Sequence, residues 1–408
     1  MLKNIPYATT IEMMLTRKCN MNCKYCFEKD KKGKNLNLDE TYRLITGNNY
    51  TLPVNSFYMF GGEPLLNLKF ITDLIDKIQK DNTLSTEKKE KWIREMTHNL
   101  TTNGTLINKN IKLLKDYGFS LQVSLDGPEE INDLCRVDYA NKGKFELIQN
   151  NLKLCREEGI PYNLHGAVSH VNYKNFDKIN EFFLEEMIKA VSAQAERNKN
   201  KKELEDFLPV ILFHNYCQFV FEEDITDSDI DALLEAYQRT IEFIFSTSLL
   251  NDYDFNMRKL VAEGFLARRG GMCSAGNNMF AIDDDFFVYP CHRWMTSGLD
   301  RDHLLSLDGL KSSRIQGTNY SQYEQLISLP LSKIMYGELY DNDISNSLNY
   351  QFQANWCPST NYEITKNVWV WPAHYSMLIA ELQNFIPRIA EYYHLDIQGY
   401  LKKYLSTR

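Results

Sequence analysis

No run of apolar residues in this chain approaches the roughly eighteen that a membrane-spanning helix needs. Met1 to Tyr7 is short and mixed, unlike a secretion signal. Internal repeats and low-complexity tracts are also missing. Basic charge is in short supply: 46 Lys and Arg stand against 54 Asp and Glu, a net charge of -8, so no global field draws nucleic acid. These absences exclude a helical membrane span, a repeat array and a nucleic-acid-wrapping surface, and they leave a soluble cytoplasmic protein as the expectation. Nine cysteines without an export signal then read as thiols kept reduced, available to metal rather than to disulfides. With 408 residues, 43% of them hydrophobic, the chain can build one large domain and a smaller one.

Against that background stands Cys19-Asn20-Met21-Asn22-Cys23-Lys24-Tyr25-Cys26, directly after the apolar run Met13 to Leu15. Three thiolates so close in sequence can cap three corners of a cubane iron-sulfur cluster, leaving the fourth iron without a protein ligand. A zinc knuckle is the competing reading, but zinc normally takes four ligands and the nearest candidate fourth is remote in sequence. The spacing, with an aromatic before the last cysteine, resembles the cluster loop of the radical SAM enzymes. That resemblance implies that Cys19, Cys23 and Cys26 hold a 4Fe-4S cluster whose open iron chelates S-adenosylmethionine (SAM), with Tyr25 near the adenine.

The chain then alternates. Thr9 to Leu15 reads as a strand that delivers the cysteine loop, and Leu38 to Thr46 as a helix. Ser56 to Phe60 is a second strand, running into Gly61-Gly62-Glu63-Pro64, where two glycines permit close backbone approach and a carboxylate can accept from an ammonium. At this distance after the cysteines it matches the family's motif for the SAM amino group, so Gly61, Gly62 and Glu63 carry over. A helix around Ile71 to Gln79 precedes a Lys-rich stretch, Asp81 to Lys91, which reads as solvated surface. Asn99 to Leu106 is a strand ending in an Asn-Gly turn, Lys109 to Tyr117 its helix, and Leu121 to Pro128 the next strand and turn. Strand, polar turn and helix in this order predict parallel strands with crossover helices.

Polar groups at successive strand ends should converge on one rim, which singles out Asn103, Ser124, Asp126 and Arg136. By resemblance, the turn Ser124 to Pro128 and Arg136 help to hold the ribose and carboxylate of SAM, a role suited to the planar fork of Arg. Alternatively, Arg136 bridges a helix surface and Asp126 caps the next turn. Cys135 and Cys155 read as buried small hydrophobes, and His165, His170 and His214 as hydrogen-bonded structural residues. Tyr162 to Ser169 is a further strand, Phe182 to Phe207 a charged helical stretch, and Pro209 to Phe213 the sixth strand. Asp227 to Ser246 has helical apolar spacing.

A new unit is expected near Tyr253, with two short strands around Asp283-Asp284-Asp285 forming a hairpin that has a cysteine beyond each end. Tyr289-Pro290-Cys291-His292-Arg293 resembles the SPASM/twitch extension of radical SAM peptide maturases and anaerobic sulfatase maturases. Phe286 stands where that pattern has glycine, and only Cys357 stands where a full extension has several cysteines. The resemblance therefore implies at most one auxiliary cluster, on Cys273, Cys291 and Cys357, with buried inert cysteines as the alternative. Trp369 and Trp371 read as a packed edge. Tyr375 to Leu405 reads as an amphipathic helix interrupted at Pro387.

The expected fold is α/β: a partial (β/α)6 TIM-like barrel over 1–235, a small α+β SPASM/twitch-like auxiliary domain over 236–374 and a C-terminal helix over 375–408. The resemblance implies reductive cleavage of SAM to a 5′-deoxyadenosyl radical that modifies a ribosomally made peptide. A carbon-carbon cyclophane crosslink at an aromatic side chain is the preferred product. Open alternatives are an anaerobic sulfatase-type formylglycine maturase, a thioether-forming or epimerising maturase and a non-catalytic cluster-binding protein. Implied partners are a precursor peptide, an electron donor such as flavodoxin or ferredoxin and a separate leader-binding protein, because only Met1 to Ala8 precede the first strand. No residue is singled out as proton acceptor.

Overall fold

The computed structural model describes residues 9–28, 31–46, 54–199, 216–219, 224–251, 255–266, 279–284, 287–289, 291–295, 313–314 and 373–405. In chain order the elements are β1 (Thr9–Met14), α1 (Leu38–Thr46), β2 (Val54–Phe60), α2 (Leu68–Lys80), α3 (Thr86–His98), β3 (Leu100–Thr102), α4 (Ile107–Asp116) and β4 (Leu121–Ser124). There follow α5 (Glu129–Cys135), α6 (Phe145–Glu158), β5 (Tyr162–Val168), α7 (Phe176–Asn198), β6 (Tyr216–Phe219), α8 (Asp227–Ser246) and α9 (Phe255–Leu266). Strands β7 (Met279–Ile282), β8 (Phe287–Tyr289) and β9 (Ser313–Arg314) precede α10 (Ala373–Tyr392) and α11 (Ile397–Leu405). Six strand-then-helix steps run from β1 to α8, the alternation expected of the barrel. No helix among the described residues is long and apolar enough to cross a membrane.

Two compact units divide these elements. The first takes the described residues of Met1–Asn22, Cys26–Val123 and Ser274–Leu339. Its sheet runs β4-β3-β2-β1-β7-β8-β9. Strands β4 to β7 in that order are parallel, and β8 and β9 are added antiparallel. The hairpin expected around residues 283–285 is thus present, and its first strand lies beside β1. Side chains alternate across a strand, and Ile11 and Met13 of β1 with Phe57 and Met59 of β2 are almost fully buried. The apolar stripe of α2, Leu68, Ile71, Leu74, Ile75 and Ile78, is buried in the same unit.

The second unit takes the described residues of Cys23–Tyr25, Ser124–Cys273 and Tyr340–Arg408. It contains the parallel pair β5 and β6, and an aromatic chain in which Phe176, Tyr237 and Phe265 follow one another at centroid distances of 5.0 and 5.5 Å. Helix α8 begins in a capping box, Thr226 and Asp229 each bonding the other's backbone N–H. It runs unbroken through residues 235 and 236.

Three expectations change. The Lys-rich stretch contains the start of α3, which Ser85 caps through its hydroxyl and which buries Trp92 and Met96. Three lysines in four residues, Lys88, Lys89 and Lys91, mask a two-residue apolar stripe. The charged helix starts earlier than Phe182, at Phe176, because the buried Phe176 and Ile179 extend its apolar face. Finally, α10 does not break at Pro387. That proline is exposed, while Leu378, Leu382, Phe385 and Ile386 bury the opposite face and hold the helix through it. The expected strand Pro209 to Phe213, His214, and Trp369 and Trp371 lie outside the described residues.

Phe57 is fully buried, with its ring 5.0 Å from that of Trp92. Phe57→Ala should therefore lower stability by about 3–5 kcal/mol, seen as a clear drop in the urea midpoint. An unchanged midpoint would contradict this packing.

Candidate active site

Strand β1 carries the chain into the cysteine segment, and the return limb closes on its exit. Leu36 donates its N–H to Leu15 O at 3.2 Å, and Thr16 and Asn35 form an antiparallel bridge. Cys19, Cys23 and Cys26 are outside any disulfide and of intermediate exposure. Lys31 Nζ donates to Met21 O at 2.7 Å, and the Cys26 thiol donates to Glu28 O at 3.4 Å.

The turn after β2 sits on the backbone just before Cys19. Gly62 N–H donates to Thr16 O at 2.7 Å and Glu63 N–H to Lys18 O at 2.8 Å. A Cβ on Gly61 would lie 2.4 Å from Thr16 O, and one on Gly62 would lie 2.4 Å from the carbonyls of both Arg17 and Lys18. Any larger residue would push the cysteine loop away, so here the glycines serve close approach.

Glu63 is fully buried. Its Oε1 accepts from Thr102 Oγ1 at 2.7 Å and Leu65 N–H at 2.9 Å, and its Oε2 from Asn103 N–H at 2.7 Å. Burial pushes its carboxyl above the usual range, and these three donors oppose the shift. A carboxylate offers about four acceptor positions, so one remains for a ligand cation.

Asn103 connects the end of β3 to the first cysteine. Its Nδ2 donates to Asn20 Oδ1 at 2.9 Å and lies 3.8 Å from Cys19 Sγ, while its Oδ1 accepts from the N–H and hydroxyl of Thr105. Asn20 Nδ2 closes the network on Thr105 Oγ1 at 2.7 Å. Cys19 Sγ also accepts from Met21 N–H at 3.3 Å. Donors aimed at a sulfur suit a thiolate that ligates metal, and thiolates are the soft donors an iron-sulfur group takes, although among the described residues no three His, Cys, Asp or Glu side chains stand gathered closely enough to hold a metal ion.

In the second unit Asp126 is the centre. It is fully buried; its Oδ2 accepts from Tyr25 Oη at 2.5 Å, and its Oδ1 from Arg136 Nε at 2.9 Å and Ala167 N–H at 2.9 Å. The Arg136 guanidinium lies over the Tyr25 ring, 5.5 Å from its centroid, and Lys24 N–H donates to Cys135 O at 3.0 Å. Burial pushes the Tyr25 hydroxyl well above its ordinary value, with Arg136 opposing. For Arg136, burial works against the charge but Asp126 outweighs it, and the guanidinium stays protonated. The alternative roles weighed from sequence do not hold, since Arg136 is buried rather than on a helix surface and Asp126 ties three elements rather than capping a turn. Ser124, at the end of β4, is half-buried.

Cys135 and Cys155 are buried as expected, and Cys291 is buried too. Cys273 and Cys357 lie outside the described residues, and Cys217 falls within β6. Sequence reasoning missed Arg17, Glu28, Asp283 and Asp284, which meet in one buried ion cluster, and the contact of His292 with Glu12. A buried acid in mid-strand at Glu12 and consecutive acids at a hairpin were visible signals, but their partners lie 280 and 267 residues away.

Residues 13–183 match the model of the radical SAM superfamily. This stretch is a radical SAM domain. It contains the cysteine loop, the Gly-Gly-Glu turn, Asn103 and the Asp126 centre, and the cofactors of its family are a 4Fe-4S cluster and SAM. The chain is similar to a cysteine-type anaerobic sulfatase-maturating enzyme of Clostridium novyi, 32% identical over 176 residues, which are 40% of this chain and 45% of that protein. It thus spans less than half the length of that relative. A cysteine-type anaerobic sulfatase-maturating enzyme of Clostridium perfringens is 23% identical over 318 residues, 74% of this chain and 78% of that protein. Among solved structures, native anSMEcpe with bound AdoMet and Cp18Cys peptide has the same fold, at a TM-score of 0.58 and 17% identity, covering 94% of this chain and 98% of that one.

Burial also pushes the Cys19 thiol up to about 11, from an ordinary 9.0. A raised value keeps the proton on below it, so in cluster-free protein the alkylation of Cys19 should still be accelerating with pH above 9.0, where an ordinary thiol levels off. A plateau near 9.0, mapped to Cys19 by peptide mass spectrometry, would contradict the burial of this sulfur.

Proposed function

We propose that this chain is a peptide-modifying radical SAM enzyme, with Cys19, Cys23 and Cys26 as ligands of its 4Fe-4S cluster. The cysteine loop carries the reading: three thiols in eight residues at the C-terminal end of a parallel strand, seated on a Gly-Gly-Glu turn. When bound, the cluster and SAM supply a 5′-deoxyadenosyl radical that takes hydrogen from an unactivated carbon.

The chain's own residues bind and orient. Gly61 and Gly62 let the SAM-binding turn close on the entry of the cysteine loop, and the remaining acceptor position of Glu63 receives the amino group of SAM. Arg136, held through Nε by Asp126, keeps its Nη groups to fork onto the SAM carboxylate. Ser124 and Asn103 serve the ribose side and Tyr25 the adenine. Residues 1–235 act as the core, 236–374 as the auxiliary domain and 375–408 as the terminal helical part. One auxiliary iron-sulfur cluster on Cys273, Cys291 and Cys357 belongs to the same reading, as do a flavodoxin or ferredoxin donor, a separate leader-binding protein and a cytoplasmic setting.

The names of the Clostridium relatives and the peptide bound to anSMEcpe support a peptide substrate. The preferred product is a cyclophane crosslink at an aromatic side chain, by analogy with maturases lacking a full auxiliary cysteine set. Formylglycine formation is the second reading, favoured by those same relatives.

Two measurements test this. Anaerobically reconstituted protein should lose about four irons per chain, one cubane's worth, when Cys19, Cys23 and Cys26 are all changed to Ala; irons that remain would belong to the auxiliary set. Incubation of reduced enzyme and SAM with a candidate precursor peptide should remove two hydrogens from an aromatic-bearing segment. Exchange of a cysteine sulfur for oxygen, with loss of two hydrogens, would replace the crosslink by formylglycine, and an unaltered iron content in the triple variant would remove the cluster assignment.

A further inference from the structure

Between the end of β1 and the β7–β8 hairpin, Arg17 is 8% exposed and meets three carboxylates that are also buried. Its Nε donates to Asp284 Oδ1 at 2.8 Å, Nη1 to Glu28 Oε2 at 3.0 Å and Nη2 to Asp283 Oδ2 at 3.4 Å. Arg17 lies two residues before Cys19 and Glu28 two after Cys26, so one guanidinium spans both limbs of the cysteine loop. The hairpin acids bind the return limb as well: Lys34 N–H donates to Asp284 Oδ2 at 2.9 Å, and a Cβ on Gly33 would lie 2.8 Å from that oxygen and 2.8 Å from Arg17 Cδ.

A second contact comes from beyond β8. His292 donates its N–H to Glu12 Oε2 at 3.0 Å, and its Nδ1 lies 2.9 Å from the same oxygen. The His292 ring is 5.1 Å from the ring of Phe27, next to Cys26, and 5.1 Å from that of Phe60, next to Gly61.

We propose that the described residues of 279–295 are a clamp on the cysteine loop, with Arg17 as its positioning residue, so that this part of the chain serves the cluster site by holding its backbone in place. The energetics favour such a role. Buried ion pairs add little net stability, but removing one partner strands the others. Loss of Arg17 would take away the one cation that these three carboxylates share, whereas loss of Asp284 would release the Arg17 Nε and the Lys34 N–H of the return limb. Lysine cannot replace Arg17, because a single ammonium does not reach three carboxylates as a planar fork does.

The clamp rests on the radical SAM reading only in that the loop is taken to hold a cluster, and the full-length protein tests the two separately. In cluster-free protein, amide hydrogen exchange of residues 18–28 should speed up about tenfold or more in Arg17→Lys and Asp284→Asn, with peptides of α2 and α4 unchanged. In reconstituted protein both variants should lose iron to a chelator about tenfold faster or more, and Arg17→Lys should alter the electron paramagnetic resonance signal of the reduced cluster, which general destabilisation does not move. Exchange of residues 18–28 at the unmutated rate in both variants overturns the clamp, as does acceleration spread evenly over the whole chain. If the unmutated protein takes up no iron, the cluster reading fails, and the exchange result still decides the clamp.

Discussion

Two backbone hydrogen bonds, Gly62 N–H to Thr16 O and Glu63 N–H to Lys18 O, fix where the cysteine loop begins. They form only because residues 61 and 62 lack a Cβ, which would stand 2.4 Å from carbonyl oxygens of the loop's entry. Both partners are extensions of neighbouring parallel strands, so the sheet sets their separation before any side chain acts. Glu63, delivered by the same turn, then reaches sideways to Thr102 and Asn103 at the end of β3, and Asn103 reaches back to Asn20 and Cys19. Three strand ends are thereby tied in a closed circuit around the first thiol. Parallel strands put all their C-terminal ends on one side, which makes such a circuit available in this architecture.

The charges near the loop are organised alike. Asp126 with Tyr25 and Arg136, and Arg17 with Glu28, Asp283 and Asp284, each satisfy buried ionic groups by joining chain segments distant in sequence. Replacing such groups with apolar side chains would often stabilise a fold. Their concentration beside three half-exposed thiols fits a site that must keep its backbone in place through repeated chemistry, and the surrounding core, Phe57, Met59 and Leu74 among others, supplies the stability they do not.

The local features of this architecture were legible in the sequence. Helix α1 has the bounds read from its spacing, Leu38–Thr46, and the cysteine loop and glycine turn follow strands as their motifs require. The α3 helix was not legible, because Trp92 and Met96 are its main buried anchors among lysines and glutamates, a pattern shared with solvated surface. The run of α10 through Pro387 depends on which face is packed, and a sequence does not state that. Among site residues, those within a motif were found, whereas Arg17 and Glu12 were missed because their partners arrive from the hairpin more than 260 residues later. Asp126 was named, but its function as the link between Tyr25 and Arg136 emerges only when three separate segments meet.

Reductive cleavage of SAM at this loop is the step on which the proposed function depends. The most direct measurement is chromatography of 5′-deoxyadenosine and methionine after anaerobically reconstituted protein is mixed with SAM and dithionite, without any peptide. Formation of both products in equal amounts is the predicted result. A protein that carries its full complement of iron, yet leaves SAM intact under strong reduction, would contradict it, and the cysteine loop would then be a metal site of another kind.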